Sequence, residues 1–282
     1  MSPTDVRSRF STAEKIRYSR QMLMPEVGPE GQAKLKEARV LCVGAGGLGS
    51  PLLMYLAAAG VGTLGIVDFD KVDASNLHRQ ILFDTDDLGK TKLKAASERI
   101  EDINPEVEVE LFDGALNFEN AERICESFDV VADGTDNFAA RYAINEACVR
   151  LDKPNVHGAV FRFDGQVSVF DARTGPCYRC IFPEPPPPGA APSCAEAGVL
   201  GVLPGVVGSL QAVEVLKLIL GEGESLVGRI ITFDALTMRF EEIRVSKDSS
   251  CPTCGPAEGR YAVTIPDAAC VFDPNMRLLM QS

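Results

Sequence analysis

The stretch VLCVGAGGLGSPLLMYLAAAG, Val40 to Gly60, constrains the fold of this chain more than any other. An apolar run, a turn of four glycines in six residues and an apolar run of helical length read as a buried strand, a tight turn and a helix. Gly44-Ala45-Gly46-Gly47-Leu48-Gly49 fits G-x-G-x-x-G in the context that such a motif requires. Glycines there let backbone N–H groups approach a phosphate, and the helix N-terminus adds partial positive charge. Asp68 closes the next apolar strand about twenty residues on, where a carboxylate can hold ribose hydroxyls. Taken alone, these residues suit NAD as well as ATP, and a tight turn that binds nothing remains open.

Around that unit, strands are expected at Arg39–Ala45, Thr63–Asp70, Val107–Gly114 and Asp129–Asp136. Helices are expected from Ser11 through Met22, where Ser11 and Glu14 form a capping box, after the glycines to Gly60, over Lys90–Ile103, and up to Glu126. Strand–helix alternation at this spacing defines an α/β chain with a doubly wound, Rossmann-like sheet, parallel in its N-terminal half. The second half changes texture. PNVHGAVF, FDGQVSVFD and the hairpin RIITFDALTMRFEEIRV suggest antiparallel strands. Between them lies a proline-rich irregular stretch, Gly175 to Cys194, and then an apolar helix ending at Gly221. The expected organisation is one unit over residues 1–255, with a nucleotide-binding half (1–150) and a second half (151–255), and an unassigned tail (256–282).

Charge narrows the function. A net charge of −12 over 282 residues argues against nucleic acid as a partner. The apolar run Gly198–Leu220 carries Pro204, Gln211, Glu214 and Lys217, which suit a buried helix better than a membrane span. The N-terminus has no apolar signal core, and a cytoplasmic location is expected. Against this acidic background, cations recur at the expected C-terminal rim of the sheet. Arg79 lies in SNLHRQ, Lys90 and Lys92 in GKTK, and Arg20 in RYSRQ. A pyrophosphate cofactor needs one helix terminus, whereas several added cations suit a triphosphate whose charge develops as it is cleaved. Each cation singly is also an ordinary solvated side chain. DGTDN, Asp133 to Asn137, ends the fourth strand with two carboxylates, and Asp136 is placed to hold Mg²⁺ against phosphate oxygens; turn chemistry alone also accounts for the run. His157 reads as a packed or hydrogen-bonded strand histidine.

Nine cysteines in a chain of this composition point to metal or catalysis before disulfides. Cys177-Tyr-Arg-Cys180 and Cys251-Pro-Thr-Cys254 supply four thiolates, the complement of a closed tetrahedral zinc site; two redox dithiols are the competing reading. Cys42, Cys125 and Cys148 fall in expected strand or helix and read as buried apolar side chains, while Cys270 has no interpretable context. Cys194, on the proline-rich loop before a helical run, is a candidate reactive thiol or a plain loop cysteine.

VGAGGLG, LGIVDFDKVDASNLHRQ, GKTK and GTDN, in this order, together with RYSRQ, GPCYRC, CAEAGVLG and GSLQAVEVLK, resemble the MoeB/ThiF family of ubiquitin-activating-like adenylyltransferases over Arg17 to Gly255. The resemblance implies that ATP is consumed to adenylate the C-terminal Gly-Gly carboxylate of a small ubiquitin-like sulfur-carrier protein, in molybdopterin, thiamine or thiolation pathways. It implies nucleotide contacts from Gly44, Gly46, Gly47 and Gly49, ribose binding by Asp68, and a nucleotide-lining run of Ser75, Asn76, Leu77, His78 and Arg79. Phosphate stabilisation falls to Arg79 and Lys92, and a Mg²⁺ ligand to Asp136, assisted by Asn137. Zinc goes to the four paired cysteines. Arg20 corresponds to an arginine that reaches into the partner subunit's site, which implies a homodimer. Cys194 matches a position that in some members takes the activated carrier covalently. The short stretch after Cys254 leaves no room for an appended sulfurtransferase domain, so sulfur is expected from a separate sulfurtransferase or cysteine desulfurase. An NAD-dependent oxidoreductase and a non-catalytic scaffold for a ubiquitin-like protein are the alternatives.

Overall fold

The computed structural model describes residues 9–185 and 198–255; Cys194 and Cys270 lie outside the described residues. Eight strands form one sheet in the order β3-β2-β1-β4-β5-β6-β7-β8. They are β1 (Arg39–Val43), β2 (Thr63–Asp68), β3 (Glu108–Asp113), β4 (Val130–Asp133), β5 (Asn155–Phe161), β6 (Asp164–Phe170), β7 (Arg229–Asp234) and β8 (Arg239–Arg244). Pairings are parallel from β3 through β5 and antiparallel from β5 through β8. The order of the parallel strands places the reversal point between β1 and β4, where open α/β sheets bind ligands beyond the strand C-termini. The mixed sheet expected from the two textures of the sequence is therefore present.

Period-two alternation sorts the core into two layers. Val40 and Cys42 of β1 point into one layer with Leu52, Leu53 and Leu56, from the helix that follows the glycine turn. Leu41 and Val43 point into the other, with Phe128, Ile124 and Ile144. Nine helices lie among the described residues: α1 (Thr12–Arg17), α2 (Ser19–Met22), α3 (Gly28–Glu37), α4 (Gly49–Ala59), α5 (Lys92–Ile103), α6 (Ala121–Cys125), α7 (Phe138–Arg150), α8 (Tyr178–Ile181) and α9 (Leu203–Leu220). By length and hydropathy α9 could cross a membrane, yet it packs on α4, β5 and β6, with Val207, Gln211 and Val215 buried.

Two helix boundaries and three whole helices depart from the sequence reading. The N-terminal helix is broken at Tyr18, which leaves helical geometry (φ −94°, ψ 8°) to bury its ring over Gly60 and accept a hydrogen bond from Asn104 Nδ2 at 2.8 Å. The helix after GKTK starts at Lys92, because the Thr91 side chain caps it by accepting from Lys94 N. Helices α3, α7 and α8 were not expected, α8 lying at the start of the stretch read as irregular. α3 has a shallow amphipathic pattern, and α7 is almost wholly buried, so neither shows a clear 3.6-residue stripe.

Gly65, in the middle of β2, sits where a Cβ would lie 2.3 Å from the Phe128 ring and 2.9 Å from Leu41. Phe128 is fully buried. Gly65→Ala is expected to cost about 1–3 kcal/mol through overpacking, read as a lower urea midpoint at unchanged slope.

Candidate active site

A cleft of about 530 Å³ opens at the C-terminal ends of β1, β2 and β4. Its floor is two turns in mutual contact. Gly44, at φ +93°, is in the left-handed region, and a Cβ on it would meet the Gly134 carbonyl oxygen at 3.0 Å. At Gly49 a Cβ would come within 2.0 Å of the Gly44 oxygen, so the turn closes only on glycine. Asp68 locks this turn from the side: its Oδ2 accepts from Ala45 N at 2.8 Å and its Oδ1 from Asp70 N at 2.9 Å. The Gly46 and Gly47 backbones face the cleft, with Arg79 Cγ 3.7 Å from a Cβ built on Gly47.

Cations converge on the cleft from three elements. Lys92, only 4% exposed, is held at the start of α5 by Asp70 Oδ2 at 2.8 Å. Arg79 is fixed from behind, donating to Asn76 Oδ1 at 2.6 Å and to the Ser75 carbonyl at 3.2 Å, with His78 Nε2 at 2.8 Å. It makes no carboxylate ion pair among the described residues, so its charge is available to an anion in the cleft. Arg141, which the sequence reading missed, lines the cleft from the first turns of α7. It is 3% exposed and donates through Nη2 to the Thr135 carbonyl at 3.1 Å. The sequence offers no signal for it, because an arginine on a helix without an amphipathic stripe carries no orientation.

The expected residues separate accordingly. Gly44, Gly46, Gly47, Asp68, Asn76, Arg79, Lys92, Asp136 and Asn137 line the cleft. Gly49 lies beneath the turn, Ser75 and His78 stand behind Arg79 rather than on the wall, and Leu77 packs against the core. Arg20 is exposed on α2 and does not line the cleft of its own chain. Lys90 is also outside it, bound to Asp87 and Glu98.

The two carboxylates of DGTDN do not share a rim. Asp136 is exposed to the cleft, whereas Asp133 is fully buried. Asp133 Oδ1 accepts from Thr135 N at 3.0 Å and from the Thr135 hydroxyl at 2.6 Å, and Oδ2 lies 2.8 Å from His157 Nδ1. Burial opposes its charge, but the His157 and Thr135 hydrogen bonds and the nearby Arg141 hold the carboxyl below its ordinary range. Burial pushes His157 down, against the pull of Asp133. His157 is thus a buried, hydrogen-bonded histidine, as expected, within β5. Asn137 caps α7 by accepting from Ala140 N at 2.9 Å.

On the far side of α7, Cys177, Cys180, Cys251 and Cys254 bring their four sulfurs within 4.8 Å of one another. Separations of 3.6 Å (Cys177–Cys251) and 3.8 Å (Cys177–Cys180) are close to the ~3.8 Å that four thiolates at about 2.3 Å from zinc require. The set fits a structural zinc ion with no open position. Cys42, Cys125 and Cys148 are buried.

A glycine turn at the reversal point of a mixed sheet, facing converging cations and accompanied by a four-sulfur cluster, defines an α/β protein of the Rossmann type with a cleft suited to a nucleotide. Residues 18–253 match the ThiF family, and the chain belongs to it. It is 54% identical over 252 residues to the sulfur carrier protein adenylyltransferase of Thermus thermophilus, covering 88% of this chain and 93% of that one. The SAMP-activating enzyme E1 of Haloferax volcanii is 48% identical, covering 85% and 88%. The probable adenylyltransferase/sulfurtransferase MoeZ of Mycobacterium tuberculosis is 51% identical over 87% of this chain, which spans only 64% of that longer protein. Among solved structures, E. coli MccB shares the fold, with TM-score 0.76 at 23% identity, covering 88% of this chain and 76% of that one.

Buried His157 has a sign-definite consequence. Its folded pKa is below the ordinary 6.5, so as pH falls through 6.5 the unfolded chain takes up a proton that the folded chain does not, and stability declines. Replacing His157→Gln is expected to flatten the loss of urea midpoint between about pH 7.5 and pH 5.5. The Asp133 contribution persists through that window, since its depressed carboxyl is lost only at more acid pH.

Proposed function

We propose that the chain uses ATP to adenylate the C-terminal carboxylate of a ubiquitin-like sulfur-carrier protein ending in Gly-Gly. The observation that carries the proposal is the glycine turn facing Arg79, Lys92 and Asp136 across one cleft, with Arg79 free of any carboxylate among the described residues. The adenylyltransferase and activating-enzyme names of the Thermus and Haloferax relatives support it.

In this reading the carrier carboxylate oxygen attacks the α-phosphorus of ATP in line. The α–β bridging P–O bond breaks, and pyrophosphate leaves with the bonding pair. No protein nucleophile or proton transfer is needed, so the residues act by position and charge. Gly46 and Gly47 bring backbone N–H groups against the triphosphate. Asp68 orients the glycine turn and stands at the ribose position. Arg79 and Lys92 neutralise the charge gathering on departing pyrophosphate. Asp136 would hold Mg²⁺, which supplies further neutralisation of the phosphate oxygens when bound. Asn137, whose Oδ1 caps α7 by accepting from Ala140 N, lines the cleft beside Asp136 and assists it there.

Arg20, exposed on α2, is assigned to the cleft of a second copy in a homodimer. Cys194 is assigned as the thiol that takes the activated carrier, with a separate sulfurtransferase or cysteine desulfurase as sulfur donor. The setting is cytoplasmic.

The test is ATP–pyrophosphate exchange dependent on a Gly-Gly-ending carrier. Asp136→Ala and Arg79→Ala are each expected to lower exchange by on the order of 10²-fold or more while the fold is kept. ATP binding by the wild type without exchange on any carrier would refute the catalytic reading. For Cys194, the expected result is a reducible carrier adduct that Cys194→Ala abolishes; an adduct surviving the substitution refutes that role.

A further inference from the structure

The aromatic residue between the first two clustered cysteines is turned the wrong way for a metal knuckle. Tyr178 is the largest of the fully buried side chains, and it points away from the sulfurs into the sheet layer. Its ring packs 5.2 Å from His157, 5.4 Å from Tyr142, 5.5 Å from Phe170 and 4.7 Å from Phe182. The Arg141 guanidinium lies within electrostatic reach of the Tyr178 phenol. Arg141 in turn holds the Thr135 carbonyl at 3.1 Å and lines the cleft. At the other end, Tyr178 N donates to Asn145 Oδ1 at 2.8 Å, and Asn145 Nδ2 lies 3.7 Å from the Cys177 sulfur.

A continuous chain of contacts thus runs from a cysteine sulfur through Asn145, Tyr178 and Arg141 to the backbone of the DGTDN turn. A parallel branch runs from the Tyr178 ring through His157 to Asp133, which holds Thr135 by two hydrogen bonds. Every side chain along both branches is at least nine-tenths buried, so movement of one displaces its neighbours rather than water. We propose that Tyr178 is a positioning residue that couples the cation held by the four cysteines to the DGTDN turn, so that nucleotide in the cleft and metal at the cluster retain one another. The inference rests on reading the cleft as a nucleotide site. A cation fixes Cys177 and Cys180 at both ends of the short helix carrying Tyr178; that helix fixes Arg141, and Arg141 fixes the turn presenting Asp136. Because coupling of two binding equilibria is reciprocal, nucleotide must protect the metal to the same degree as the metal tightens the nucleotide.

The zinc-loaded protein provides the test. Zinc release is driven by an organomercurial thiol reagent and followed with a metallochromic dye, with and without a non-hydrolysable ATP analogue and Mg²⁺. Analogue affinity is measured on the same samples by calorimetry. Bound analogue is expected to slow zinc release by about fivefold or more in the wild type. Tyr178→Phe keeps the four thiols and the ring, and should bind zinc stoichiometrically, yet it loses that protection and binds the analogue about fivefold more weakly. Tyr142→Phe removes a neighbouring buried hydroxyl, which donates to the Phe182 carbonyl at 2.8 Å, and should lower stability while leaving protection intact. Equal protection in Tyr178→Phe and wild type, or analogue binding by the wild type without protection, overturns the coupling alone. Failure of the wild type to bind the analogue overturns the nucleotide reading of the cleft and the coupling with it.

Discussion

A single carboxylate with no access to water holds the centre of this molecule together. Asp133 ends the strand at the reversal point of the sheet, and leaving its charge unpaired there would cost several kcal/mol. Its neighbours are arranged to prevent that. His157 from β5 and Thr135 from the following turn take its oxygens, with Arg141 Nε 4.0 Å away. The Asp133 backbone oxygen also accepts from Gln211 Nε2 at 2.8 Å, which ties α9 to the same point. Two central strands, the helix above them and the turn at the cleft mouth thus share one buried anion. The functional turn is rigid because the fold cannot do without what holds it.

Much of the fold could be read from the sequence because the strongest signals were local. Glycines between an apolar strand and an apolar helix, carboxylates at strand ends and two C-x-x-C pairs each state their requirement within a few residues. Residues whose meaning depends on distant partners were not legible. The carboxylates of DGTDN are three positions apart, and only the fold shows that Asp133 turns inward to His157 while Asp136 faces the cleft. Lys90 and Lys92 are two apart, yet one meets Asp87 and Glu98 in solvent and the other Asp70 at the site. Arg141 was invisible because its helix is buried almost all round, which erases the stripe that marks an amphipathic helix.

The cleft also shows how an acidic protein keeps a site for a polyanion. The net charge of −12 is not reversed locally by a basic patch. Instead, each cation is anchored by a partner that leaves part of it facing inward: Asp70 beneath Lys92, Asn76 and the Ser75 carbonyl behind Arg79, the Thr135 carbonyl at Arg141. Three anchored cations in a half-enclosed cleft act at a lower effective dielectric than the same charges on an open surface. Fixing them beforehand also lessens the reorganisation needed when negative charge develops.

The four-cysteine cluster joins positions 74 residues apart in sequence. With a cation in place, the backbone from Cys177 to Cys254 becomes a closed ring that contains α9, the hairpin of β7 and β8 and the whole proline-rich segment. Ring closure removes conformational freedom from the unfolded chain rather than adding contacts to the folded one. It also makes the stability of the enclosed stretch, β7 and β8 included, rise with the free zinc concentration around the molecule, by mass action. Cys194 falls between those positions in sequence, so the stretch that carries it is closed at both ends by one and the same clasp.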